Sequence, residues 1–231
     1  MNRRIHSITR ELSRFFRKED GSTIVEMAFV MPIFLLIFLG LIDFGRLAFH
    51  YVAAEKTAQV AARMAAVLPA ACGGVPITNS RGGYTDITGP RFGTNCDFAS
   101  GVCVEPAATI CTGANPPNAA AQDTVDGIWN MLQFAVPNDP TATFDESNIT
   151  FAYEFDPQMN FLGGPYVPMV TVTIEELPFR FVSPLGALAA LAIGGATPQT
   201  DDLTNATTGF KIFSDFSATL PGEDLASGTS G

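Results

Sequence analysis

From Met27 to Ile42 the chain runs for sixteen residues, MAFVMPIFLLIFLGLI, without a charged or polar side chain, and Glu26 stands at their head. As a helix this run is about 24 Å long, against a bilayer hydrocarbon core of about 30 Å. Extending it back to Ser22 gives about 31 Å, but only by taking in the glutamate. A carboxylate at the bilayer centre costs roughly 2.5–3.5 kcal/mol, and less near the interface. The stretch is therefore read as a single membrane span, residues 22–43, that carries an acid close to one end.

Charge orients the span. The first twenty residues hold six Arg and Lys against Glu11, Glu19 and Asp20, a net +3, so the remainder of the −10 chain carries −13. Positive charge crowded before an apolar run marks the cytoplasmic flank, which puts residues from about Phe44 onward outside the cytoplasm. The acidic remainder has no basic face, and no nucleic-acid partner is expected. A cleaved secretory signal fits poorly, because bulky IDFGRLAFHYV follows where a small-x-small site is needed. LPAAC at Leu68 to Cys72 is a poor lipoprotein site, with Pro69 in place of an aliphatic residue.

All four cysteines, Cys72, Cys96, Cys103 and Cys111, lie beyond the span. An even number in an oxidising compartment points to two disulfides, with three connectivities open. The turn-rich CDFASGVC favours local closure of Cys96 with Cys103, leaving Cys72 and Cys111 to bracket the loop. Zinc is not expected, since there is no C-x-x-C pair and His6 and His50 lie far from the cluster.

The helical pattern continues past the membrane. Gly45 to Leu68 is alanine-rich and free of proline, with Leu47, Tyr51, Ala54, Ala58, Ala61, Ala65 and Leu68 recurring every three or four residues. This stripe is expected to cover a sheet, and Pro69 to stop the helix. Residues 69–117 read as a long cysteine-bearing loop without a sustained period. Asn118 to Val136 returns to helical spacing, with Asn118 as cap and Val125, Ile128, Trp129 and Leu132 on one face. The period then becomes two, through Ile149, Phe151, Tyr153 and Phe155, through Val170, Val172 and Ile174, and through Phe210, Ile212, Ser214 and Phe216. LPFRFV is expected to extend the second of these strands, and LGALAALAIGG to form a short helix. The expectation is an α+β fold: a long helix, half in lipid, packed on a small antiparallel sheet of about three strands. The organisation read is a basic leader 1–21, a span 22–43, a helical continuation 44–68, the loop 69–117, an α+β domain 118–221 and a tail 222–231.

The order of basic leader, Gly21, four intervening residues, Glu26 and apolar run resembles the class 3 signal of type IV pilins. GSTIVEMAFVMPIFLLIFLGLIDFGRLAFHYVAAEKTAQVAARMAAV is similar to the TadE-like branch of tight-adherence (Tad/Flp) pilus proteins. The resemblance implies a pseudopilin of the inner membrane with its outer domain in the periplasm. It also implies a prepilin peptidase acting at Gly21–Ser22, and other pilin-like subunits and the pilus assembly machinery as partners. Glu26, fifth in the mature chain, would then face the new ammonium of a neighbouring subunit. Ser22 stands where many pilins have phenylalanine, and Met27 where Tad-type signals place an aromatic.

An enzyme is the weaker reading. No histidine follows His50, so a Ser-His or Cys-His couple is not available in the outer domain. GGVPITNSRGG lacks the lysine and the strand-to-helix setting of a phosphate loop, and no cofactor is expected. Asp43 and Arg46 read as a boundary ion pair worth a few tenths of a kcal/mol. The rival to the pilin-like reading is an uncleaved, membrane-anchored periplasmic structural or binding protein.

Overall fold

The computed structural model describes residues 22–85, 89–135, 144–177, 179, 182–183, 215–223 and 225. One helix, α1, runs from Ser22 to Val67 through Pro32 without interruption. After it come strand β1 (Thr109–Thr112), helix α2 (Ala119–Ala135) and strands β2 (Ile149–Phe155), β3 (Pro168–Ile174) and β4 (Phe216–Pro221). The four strands form one antiparallel sheet in chain order, β1-β2-β3-β4. The fold is α+β.

The period-two residues face inward. Ile149, Phe151 and Tyr153 of β2 and Val170, Val172 and Ile174 of β3 are buried, and Phe151 is paired with Val172. The opposite face is hydroxyl-rich, with Thr150, Thr171 and Thr173 partly exposed and Ser217 and Thr219 exposed. Thr171 and Thr219 are hydrogen-bonded across β3 and β4. Such alternation is what a sheet covered on one side requires.

The cover is helical. Ala54, Ala58, Ala61 and Ala65 of α1 are all within 3% of full burial, in one core with Val125, Ile128 and Leu132 of α2. Alanine suits this face because a small side chain loses no rotamer freedom and lets a backbone come close. Gly127 serves the same end in α2: a Cβ there would stand 3.2 Å from Met64 of α1. Asn118 caps α2 by accepting the Ala121 N–H at 2.9 Å. Just past α1, the Ala71 N–H donates to the Tyr153 hydroxyl at 2.9 Å. Burial pushes that phenol up to about 12, so it keeps its proton under ordinary conditions.

Residues 69–117 depart from the loop expected. They contribute β1, which brings the sheet among the described residues to four strands. A strand of four residues is too short to show a period. Pairing holds it: Cys111 lies opposite Phe151 and is bonded to Cys72 at the end of α1. The second disulfide joins Cys96 to Cys103 inside a smaller core with Val102 and Leu162. This lobe is clasped to the β2–β3 connection by Asn79 and Asn160. The Asn79 side-chain amide donates to the Asn160 Oδ1 at 2.9 Å and to the Pro165 backbone carbonyl at 2.9 Å. Asn160 donates to the carbonyls of Asp156 and Val167 and also accepts the Val167 N–H, each at 2.8 Å. The two amides are buried and satisfied, as buried polar groups must be. Gly82 crosses the lobe where any Cβ would come within 2.4 Å of the Gly101 carbonyl oxygen.

Strand β3 ends at Ile174 rather than running on through LPFRFV, because Glu176 adopts φ 58° and turns the backbone out of the extended region. Leu177 and Phe179 are still buried in the main core. The segment LGALAALAIGG and the alternation at Phe210, Ile212 and Ser214 lie outside the described residues. At the far end the Gly222 N–H donates to the Pro168 carbonyl and the Glu223 N–H to the Ala66 carbonyl, each at 2.8 Å, so the chain stays tied down past β4.

The alanine contact should be intolerant of bulk. Ala61→Leu, at 0% exposure, is expected to destabilise the domain by about 1–3 kcal/mol through overpacking. Gln59→Ala on the exposed side should stay within about 0.5 kcal/mol of the parent. Thermal unfolding of the two full-length variants in detergent checks the difference.

Candidate assembly and anchoring surface

Helix α1 begins at Ser22, and Gly21 and the leader lie outside the described residues. Glu26 is exposed on the first turns, the sole acid between Ser22 and Ile42. Around and above it the helix is uncovered: Ile24 is 72% exposed, and only 6% of the most apolar stretch is buried against the rest of the chain. Phe34 and Phe38, one turn apart, stack at 6.0 Å along the helix surface. Apolar surface of this extent is not stable in water, and its length suits a bilayer.

Beyond the span α1 has two apolar sides, not the single stripe that its alanines suggest. The alanine side is buried on the sheet. The other side carries Phe49, Val52, Lys56, Val60, Arg63 and Val67, spaced by three and four, and all six are exposed. Sequence reading passed over this face because two cations interrupt it. The signal lies in Phe49, Val52, Val60 and Val67 recurring on one side of a helix whose core-facing side is already filled.

Between the two halves stands Asp43. It is fully buried, and its carboxylate accepts the Val182 N–H at 3.0 Å and the Ser183 N–H at 2.7 Å. Arg46 donates to the same carboxylate at 3.4 Å and lies over the Phe179 ring, 5.7 Å from its centroid. His50, one turn further on, meets Phe179 edge to face at 6.0 Å. Asp43 is thus more than half of a local ion pair: it fastens the helix to a segment 139 residues later. The signal was available, since counting the core-facing series backward from Ala54 through Leu47 reaches Asp43. Backbone N–H groups as its partners could not be read from side chains.

The sequence-derived site residues therefore fall into separate places. Glu26 lies on the membrane half of α1, Cys72–Cys111 joins the far end of α1 to β1, and Cys96–Cys103 lies within the lobe. Among the described residues no group of three or more His, Cys, Asp or Glu side chains comes together.

A long helix, bare at one end and built into an α+β domain at the other, defines a protein with an N-terminal membrane anchor. That helix is similar to a known family: the family model described as TadE-like protein matches residues 21–63, from the glycine before Ser22 to Arg63 on the outer helix. No match is found among curated proteins or among solved structures.

Removing the Asp43 carboxylate should orphan two N–H groups. Asp43→Ala is expected to cost about 2 kcal/mol locally, or roughly thirty-fold in amide protection at Val182 and Ser183. Hydrogen exchange read by mass spectrometry should show this loss there, with β2 and β3 unchanged.

Proposed function

We propose that this chain is a pilin-like subunit that acts in assembly of a Tad-type pilus for surface adhesion, as a structural and not a catalytic component. One observation carries the reading. The helix that starts directly after Gly21 is continuous to Val67 and leaves both its membrane half and one outer face uncovered by its own domain. A rod bare along its length is suited to packing against other rods, and the TadE-like match covers that same helix.

In this reading the N-terminus is cytoplasmic and the disulfide-bearing domain lies in the periplasm. A prepilin peptidase cuts Gly21–Ser22 at the inner membrane. Cleavage leaves an ammonium on Ser22, at the start of α1 and beside lipid. Glu26 of an adjacent subunit compensates it, and because a buried charge without its partner is strongly penalised, the pair selects the axial register of neighbouring helices. The Val52–Val67 face extends the contact above the membrane toward other pilin-like subunits and the assembly machinery.

Replacing Gly21 by a bulky residue is expected to trap the full-length form when the peptidase is co-expressed. Intact mass of membrane-purified protein reads the outcome, and loss of residues 1–21 from that variant would overturn the cleavage step. Glu26→Ala should insert at least as well as the parent, because a charge leaves the lipid. Its recovery with partner pilin-like subunits should fall sharply. Undiminished pilus formation by this variant would remove Glu26 from the mechanism.

A further inference from the structure

The apolar run presents a geometric shortfall. Met27 to Ile42 covers about 24 Å of a hydrocarbon core of about 30 Å, so about 6 Å, or four residues of helix, remain to be found. Extending the span back to Ser22 supplies it, and the span then ends at Asp43, at the outer boundary of the core. A bare aspartate there would be costly. Asp43 is not bare: it is fully buried, and its oxygens are occupied by two backbone N–H groups and Arg46. The residues that shield it show apolar side chains outward. Phe44 is 61% exposed on the helix, and Val182, whose N–H is bonded to Asp43, is 66% exposed on the bonded segment. Phe49, two turns above Asp43, is 69% exposed.

We infer that Phe44, Phe49 and Val182 form a collar that seats the folded domain in the outer boundary of the bilayer spanned by α1, so that the domain rests on lipid instead of standing clear of it. The inference rests on α1 spanning a membrane, and it does not depend on cleavage or polymerisation. The occupant of the collar is lipid because its surface is continuous with the uncovered apolar face of α1 below. The partly exposed Arg46 stands at the same level, where a guanidinium can snorkel toward a headgroup phosphate. Val182 is the decisive residue. It belongs to a part of the chain remote in sequence from the helix, and the Asp43 bonds hold it at the level of the boundary.

Tryptophan fluorescence tests the seating. The full chain, with its single tryptophan changed by Trp129→Phe, is reconstituted in vesicles of phosphatidylcholine and phosphatidylglycerol. Part of the phosphatidylcholine carries bromine on acyl carbons near the headgroup. Leu41→Trp reports the span, Val182→Trp the collar, and Val67→Trp the far end of α1, about 36 Å along the helix from Asp43. All three positions are exposed, so the introduced tryptophans disturb no core packing, and the Trp129→Phe parent serves as the reference for the loss of the Trp129–Phe144 stack. The expected result is strong quenching of Val182→Trp, comparable to Leu41→Trp, with Val67→Trp unaffected. Quenching at Leu41 without quenching at Val182 overturns the collar and leaves the span intact. Absence of quenching at Leu41 overturns the span itself and the collar with it.

Discussion

Everything in this molecule depends on a single helix with two solvents. Along its first half α1 needs an apolar surface all round, and along its second half it needs one face small enough to lie against a sheet. The alanines at 54, 58, 61 and 65 meet the second demand, and the core closes over them from β3, β4 and α2. Had these positions been leucines, the helix would stand off from the sheet, and Met64 could not lie against Gly127. The helix has no break between the bare half and the alanine contact, so anchor and domain share one continuous element. Asp43 adds a second fastening at the point where lipid gives way to water, and the Cys72–Cys111 bond a third at the distal end.

How much of this could be read beforehand follows from the range of the forces involved. The helix, its alanine stripe, the Asn118 cap and the inward series Phe151, Tyr153, Val170 and Val172 are written in local periodicity, which a sequence displays directly. β1 was not legible. Its four residues carry no period of their own, and they become a strand only because β2 offers an edge and Cys111 is bonded to Cys72. The end of β3 at Glu176 was likewise hidden, since a lone residue at positive φ leaves no mark in a hydrophobic pattern. The role of Asp43 depended on backbone donors far along the chain. The second apolar face of α1 was hidden by Lys56 and Arg63, although its spacing is as regular as that of the alanines.

The cysteine lobe shows how an irregular segment becomes ordered without a large core. Its hydrophobic centre is little more than Val102, Leu162 and the Cys96–Cys103 bond, with Tyr84, Ala99 and Phe155 at the margin. A disulfide across so short a loop constrains the unfolded chain less than the Cys72–Cys111 bond does, which closes a loop of about forty residues and is worth roughly 4 kcal/mol in loop entropy. The Asn79–Asn160 clasp supplies what the lobe lacks in apolar area. Its donors and acceptors are matched to backbone groups on both sides of the β2–β3 connection. Such a network is worth having only when complete, since each orphaned buried group would cost about 1–3 kcal/mol.

The position of β4 has a consequence for biogenesis. This strand reaches the sheet from residues 216–221, and Glu223 closes onto the carbonyl of Ala66 at the end of α1. Until the ribosome has delivered that stretch, β3 lacks its outer neighbour, with the partners of Ile174 and Val172 still to come. Closure of the sheet over β3 therefore waits for β4. A polypeptide stalled or clipped ahead of residue 216 would leave the edge of β3 unpaired and the helical core short of Phe216.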